Sequence, residues 1–94
     1  MKGLEELRRE LDAVDRELVR LFEKRMALSR EVACYKISCG MPVLDRSREA
    51  QVLSSRCALL EDPHWADATR ALFEQIMALS RAEQEACIKE ARGQ

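Results

Sequence analysis

The sequence contains few of the residues that build turns, sheets and metal sites. Its 94 residues include three glycines, two prolines and one histidine, and aromatic residues make up 4%. With 35% charged and 47% hydrophobic residues, this composition is typical of long helices and does not favour strands. A net charge of −1 gives no support for binding nucleic acid or an anionic membrane surface.

Long hydrophobic runs are also lacking. No apolar run reaches the ~18 residues of a membrane span, and the start "MKGLEELRRE" does not resemble a signal peptide. We therefore expect a cytoplasmic protein without membrane association. The four cysteines form no C-x-x-C pair, and His64 lies apart from them in a predicted turn. We expect neither a metal site nor, in a reducing cytosol, disulfides.

Two breaks divide the chain into three predicted helices. Gly40 and Pro42 end the first helix. Asp62 is a suitable N-cap and Pro63 a suitable first residue for the last helix. The helices are predicted at roughly 4–38, 46–60 and 63–91, which gives an all-α fold. Residues 1–94 are interpreted as one small domain.

The first helix carries a seam of apolar residues at alternating spacings of three and four, the pattern of a helix packed along another helix. The members of this seam are Leu4, Leu7, Leu11, Val14, Leu18, Leu21, Leu28, Val32 and Tyr35. A helix of about 35 residues is ~50 Å long, whereas a compact domain of this size is only about 30 Å across. The two remaining helices cannot cover such a seam, so the sequence predicts a symmetric homodimer.

A charged residue interrupts the seam, because the position after Leu21 is Arg25. One interpretation is a buried ion pair with a glutamate, or an end of the seam that is not packed. However, Lys36 lies eleven residues later and shares the same helix face. Polar residues also interrupt the inward faces of the other two helices, namely Arg48, Glu49, Ser80 and Gln84.

Six such residues, three of them cationic, indicate a pocket for a ligand with more than one negative charge. Arginines suit bidentate carboxylate binding, and lysine, glutamine and serine suit hydrogen bonding to neutral or developing-negative oxygens. The pattern favours a site that acts through positioning and electrostatic stabilisation rather than covalent or proton-transfer catalysis.

Three segments, "LRRELDAVDRELVRLFEKRMALSREVACYK", "GMPVLDRSRE" and "LFEQIMALSRAEQ", resemble the AroQ-type, all-helical chorismate mutases over nearly the whole chain. The resemblance implies an intertwined homodimer of three-helix chains with two identical sites. It also implies conversion of chorismate to prephenate, in phenylalanine and tyrosine biosynthesis, by a concerted [3,3] rearrangement that needs no cofactor.

The resemblance assigns roles to residues of the predicted pocket. Lys36 and Gln84 match the family's donors to the substrate's ether oxygen, and Lys36 also meets a carboxylate. Arg25 and Arg48 match the arginines that bind the substrate carboxylates, and Ser80 matches a further carboxylate contact.

Three further positions complete the family pattern. Glu49, with the backbone amide of Asp45, matches the group that holds the ring hydroxyl. Arg8 matches an arginine that the partner chain donates, and it precedes Arg25 by seventeen residues, about 100° away around the helix. All eight positions agree with the family.

Two alternatives stay open. Isochorismate-pyruvate lyases of the same fold use a similar cationic pocket, although the "VLDRSRE" loop and Glu49 favour the mutase. The chain could also be a helical dimerisation or regulatory module without catalysis, although the complete set of pocket donors argues against that alternative.

Overall fold

The computed structural model describes residues 1–93, which form three α-helices and contain no strand. Helix α1 spans Leu4–Cys39, α2 spans Arg46–Cys57 and α3 spans Ala66–Arg92, with a single 3₁₀ turn at Pro63–Trp65. The prediction of an all-helical chain with three helices is therefore confirmed. The chain is flat and elongated, with extents of 57 × 27 × 14 Å, because α1 alone determines its length.

Glycine ends α1 as the sequence predicts. Gly40 takes a left-handed conformation, with φ of 68°, that residues with a Cβ rarely adopt. This conformation lets the Met41 N–H donate to the Lys36 carbonyl at 2.9 Å and the Gly40 N–H donate to the Ile37 carbonyl at 3.4 Å. This Schellman arrangement caps the last turn of α1, the turn that carries Lys36.

The other two helices differ from their predicted ranges near residue 60. Helix α2 ends at Cys57 rather than 60, because the N–H groups of Leu59 and Leu60 bond to carbonyls only three residues back, which tightens the chain into turns. The predicted start at Pro63 is a 3₁₀ turn in which the Asp62 carboxylate accepts from the His64 N–H at 2.9 Å. Asp62 is thus an N-cap, but α3 itself begins at Ala66, three residues after the predicted start at Pro63.

Helix α3 packs against both α1 and α2 and holds the chain together. The buried apolar core is small and consists of Ala33, Val43, Val52, Met77 and Cys87. Three polar residues, Ser29, Ser80 and Gln84, are buried in the same layer. Small residues on α1 at positions 29 and 33 let α3 approach closely, but most of the apolar surface of α1 stays outside this core.

All nine residues of the predicted α1 seam are exposed in the single chain, each by 44% or more of its surface. An exposed apolar stripe of this length, broken only at Arg25, is uncommon on a protein that acts as a monomer. The stripe does not make α1 a membrane helix, because no helix within residues 1–93 combines the length and the apolar character that crossing a bilayer requires.

Candidate active site

A pocket of about 370 Å³ lies where the last turns of α1, the first turns of α2 and the middle of α3 meet. This volume is within the range of small-molecule sites. Seven of the eight residues predicted from the sequence line the pocket: Arg25, Lys36, Asp45, Arg48, Glu49, Ser80 and Gln84. Residues from all three helices are therefore brought together, although they are as many as 59 positions apart in the sequence.

Arg8 is the predicted residue that does not reach this pocket. Its side chain is 63% exposed and lies 3.7 Å from the carboxylate of Glu5, one turn earlier on α1. Seventeen residues separate it from Arg25, which places it about 25 Å farther along the same helix. A straight helix cannot bring Arg8 into the pocket of its own chain.

Lys36 is held at the pocket by the loop that follows α1. Its ammonium donates to the Val43 carbonyl at 2.7 Å, and Val43 is itself buried against the helices. One of the three N–H groups of Lys36 is used in this contact, so two remain to donate to a ligand. The loop carbonyl thus restricts a flexible side chain to one position.

Positive charges crowd around Arg25. Its partial burial, together with the nearby charges of Arg56 and Arg48, lowers the pKa of the Arg25 guanidinium from its ordinary value. Arginine stays protonated at neutral pH in any case, so the direction of the shift reports a destabilised positive charge. An anion placed among these three arginines would relieve that destabilisation.

A buried chain of hydrogen bonds orients Gln84. The Ser29 hydroxyl donates to the Arg25 carbonyl at 3.1 Å, so the 2.6 Å contact between Ser29 and Ser80 requires the Ser80 hydroxyl to be the donor. Ser80 then accepts from the Gln84 amide nitrogen at 3.3 Å. The second N–H of this amide remains available to the pocket.

The same chain has two consequences for the predicted roles. The Ser80 proton is used within the protein, so a carboxylate contact from Ser80 would require its hydroxyl to turn away from Ser29. The Oε1 atom of Gln84 is buried without a hydrogen-bond partner in the described part of the chain. A buried unpaired acceptor is uncommon in folded proteins and destabilises by about 1–3 kcal/mol.

Both carboxylates of the pocket already have partners within the chain. Asp45 is the N-cap of α2 and accepts from the Arg48 N–H at 2.9 Å, which fixes the first turn of that helix. Glu49, in that first turn, forms an ion pair with Arg81 of α3. The first contact fixes the start of α2, and the second joins α2 to α3 beside the pocket.

Sequence reasoning missed three polar residues of the pocket, Ser29, Arg56 and Arg81. Arg56 follows Arg48 by eight residues, which keeps both on one helix face. A repeated pentapeptide could have indicated the other two: "MALSR" occurs at 26–30 and at 77–81, and the serines of its two copies contact each other. Arg81 also precedes Gln84 by one turn.

The charge balance of the pocket defines the ligand that it can hold. Five cationic side chains and two carboxylates line it, an excess of three positive charges. Among the residues that the structure describes, four of these cations have no carboxylate within 4 Å: Arg25, Lys36, Arg48 and Arg56. A small organic ligand with two or more negative charges would neutralise them.

The fold and pocket together define a small all-helical protein with a cationic pocket of small-molecule size. Residues 7–85 match the model of the family "Chorismate mutase type II". The chain belongs to this family, and the resemblance seen in the sequence is confirmed.

Two curated relatives show how the chain relates to longer proteins. It is 41% identical over 56 residues to the T-protein of Haemophilus influenzae, which covers 60% of this chain and 15% of that protein. It is 34% identical over 82 residues to a 3-dehydroquinate dehydratase of Pyrobaculum aerophilum, covering 87% of this chain and 24% of that protein. The chain thus matches less than a quarter of the length of either relative.

Proposed function

We propose that the protein is a chorismate mutase that converts chorismate to prephenate by a [3,3] rearrangement without a cofactor. The observation that carries this proposal is the group of four pocket cations that have no carboxylate partner within residues 1–93, in a chain of the chorismate mutase type II family. Chorismate carries two carboxylates and an enolpyruvyl ether, so it presents the charges and the oxygen acceptor that such a pocket would bind.

The arginines contribute by fixing the shape of the substrate. Arg25 and Arg48 would hold the two carboxylates so that the enolpyruvyl arm lies over the ring, where the two reacting carbons approach each other. A flexible molecule rarely takes that shape in water, so binding the substrate in that shape removes the entropic contribution to the activation barrier. Arg56, whose charge acts on Arg25, would be a further donor to the carboxylate that Arg25 binds.

Lys36 and Gln84 would act on the bond that breaks. As the C–O bond of the ether lengthens, negative charge accumulates on its oxygen, and donors aimed at this atom stabilise the transition state more than the bound substrate. Lys36 has two N–H groups left after its bond to Val43, and Gln84 has one left after its bond to Ser80. A ~10⁶-fold acceleration requires ~8 kcal/mol, which positioning and two such donors can supply together.

The ring hydroxyl would be held at the α2 side of the pocket. Glu49, whose oxygens retain free lone pairs beside Arg81, can accept the hydroxyl hydrogen, and the Asp45 backbone amide lies at the start of the same helix. Both groups sit on the first turns of α2, so one rigid element would set the orientation of the ring.

The active form would be an intertwined homodimer. The exposed apolar stripe of α1 supports this proposal, because a second copy of the stripe is its simplest cover. Arg8 also supports it, since it is exposed and lies about 25 Å along α1 from Arg25 of its own pocket, yet it matches one of the family's substrate-binding positions. In such a dimer each Arg8 would complete the pocket of the partner chain.

The direct test is to incubate the purified chain with chorismate and with isochorismate in separate reactions, and to follow products by NMR. Formation of prephenate from chorismate, lost in an Arg25→Ala variant that still forms the native oligomer, is the expected result. Release of pyruvate from isochorismate as the faster reaction would identify a lyase instead. Turnover of neither compound would favour a helical module without catalysis.

A further inference from the structure

Arg81 is a pocket residue to which the family resemblance assigns no role. It follows Ser80 on α3, and its guanidinium pairs with Glu49 across the gap between α2 and α3. The two side chains are only 35% and 25% exposed. A half-buried pair inside a ligand pocket acts on that pocket more than an exposed surface pair would.

The contact is made by a single nitrogen. Nη1 of Arg81 lies 2.5 Å from both carboxylate oxygens of Glu49. This arrangement differs from the two-nitrogen fork that arginine forms with many carboxylates. Because only one nitrogen is used, a lysine ammonium could reproduce the contact, whereas an apolar side chain could not.

Without this pair, Glu49 would have other partners close at hand. Its carboxylate is carried on a flexible side chain beside a pocket where Arg25, Arg48 and Lys36 have no carboxylate partner within the described residues. A released carboxylate would be attracted into that pocket, where it would neutralise the cations and take the place of a ligand carboxylate.

We propose that Arg81 is a positioning residue that holds the Glu49 carboxylate at the α2–α3 edge of the pocket and thereby keeps it from pairing with the cations that bind substrate. This inference rests on the proposed function, since the competing ligand is the dianionic substrate. In this role Arg81 acts only through Glu49. Replacing Arg81 should therefore weaken substrate binding, and it should do so only while Glu49 keeps its negative charge.

The test is a double-mutant cycle read from KM and kcat with chorismate. Arg81→Met should raise KM about tenfold with a smaller change in kcat, within the range of coupling between contacting charged residues. Arg81→Lys should restore most of the loss. In a Glu49→Gln background, which carries its own defect, Arg81→Met should produce no further increase in KM.

Arg70→Met is a matched control, because Arg70 lies on the same helix and pairs with Glu74 at 3.8 Å outside the pocket. It should leave both constants unchanged. Circular dichroism and sedimentation of every variant would show that helix content and oligomeric state are retained.

Several outcomes would overturn the inference. Equal KM increases from Arg81→Met with and without Glu49→Gln would mean that Arg81 acts independently of Glu49. A lysine variant as impaired as the methionine variant would mean that the guanidinium itself binds the ligand. If the native protein converts no chorismate, the proposed function fails. The same double-mutant cycle is then read from the Kd of chorismate, measured by calorimetry. Additive effects of Arg81→Met and Glu49→Gln on that Kd would again refute the inference.

Discussion

Replacement of Gln84 by glutamate tests the centre of the proposed chemistry. The two side chains have nearly the same size, but the amide donates at any pH, whereas a carboxyl donates only when protonated. Gln84 is 6% exposed and is held by Ser80, so the introduced carboxyl would stay at the site and could not turn into solvent. We expect Gln84→Glu to be strongly impaired at neutral pH and to recover as the pH falls.

The size of the effect follows from two losses. An ionised carboxylate removes one donor to the oxygen that becomes negative, which costs about 2.7–4 kcal/mol at comparable sites. It also places a like charge beside that oxygen. A full charge pair at about 4 Å is worth about 4 kcal/mol at an effective dielectric constant of 20, and a partly developed charge accounts for a fraction of this. The sum corresponds to a loss of roughly 10³–10⁴-fold in kcat/KM.

Protonation should reverse both losses. The neutral carboxyl donates one hydrogen, which can go to the ether oxygen if the Ser80 hydroxyl turns to donate to the other carboxyl oxygen. We expect burial beside the apolar walls to raise the pKa of the introduced carboxyl and the positive charge of Lys36 to lower it. Activity is therefore expected to rise through that pKa as the pH decreases and to approach the native value within about tenfold.

The assay is kcat/KM for chorismate against pH for the native protein and for Gln84→Glu, with the oligomeric state measured at each pH. Gln84→Ala is the control, because it lacks a donor at every pH and should be weak throughout. If Gln84→Glu follows the native profile, then residue 84 does not contact the ether oxygen, and the proposed mechanism is wrong.

Three further predictions concern the arginines and the α1 seam. Arg25→Lys keeps the charge but removes the two-donor fork, so kcat/KM should fall by a factor equivalent to roughly 2–4 kcal/mol of transition-state binding. Near-native turnover in a folded dimer would contradict the assignment of Arg25 as a carboxylate clamp. Arg8→Ala and Arg25→Ala chains should each be nearly inactive, but mixing and refolding them together should restore part of the activity; no recovery in demonstrated heterodimers would exclude a shared site. Leu18→Glu places a charge in the exposed stripe, where Leu18 is 55% exposed in the single chain, and should shift the protein toward monomers in sedimentation equilibrium, whereas an unchanged dimer would show that the stripe is not the interface.

Local signals in the sequence were enough to predict the helices. The spacing of three and four residues along α1 is a property of one helix, so it can be counted without knowing any partner. Gly40 and Asp62 act through their own backbone and neighbouring N–H groups, and both end or begin an element where predicted. The errors at Cys57 and Ala66 are of a few residues, because turns with i→i−3 bonds use the same residue types as helix ends.

The lining of the pocket was partly predictable for the same reason. Arg25 and Lys36 share a face of α1, and Ser80 and Gln84 share a face of α3, because residues at multiples of the helical repeat point in one direction. A polar residue where the pattern requires an apolar one is visible in the sequence. The roles of these residues remain predictions, which the experiments above would test.

What the sequence alone determined, then, is which residues share a helix face and where each helix stops, since both depend on backbone geometry within a few positions. Which faces meet is a different matter. The contact of Ser29 with Ser80 joins residues 51 positions apart, and the pairing of Glu49 with Arg81 joins residues 32 apart. These partners depend on the path of the loops and on how closely the small residues of α1 let α3 approach, so only the tertiary structure decided them.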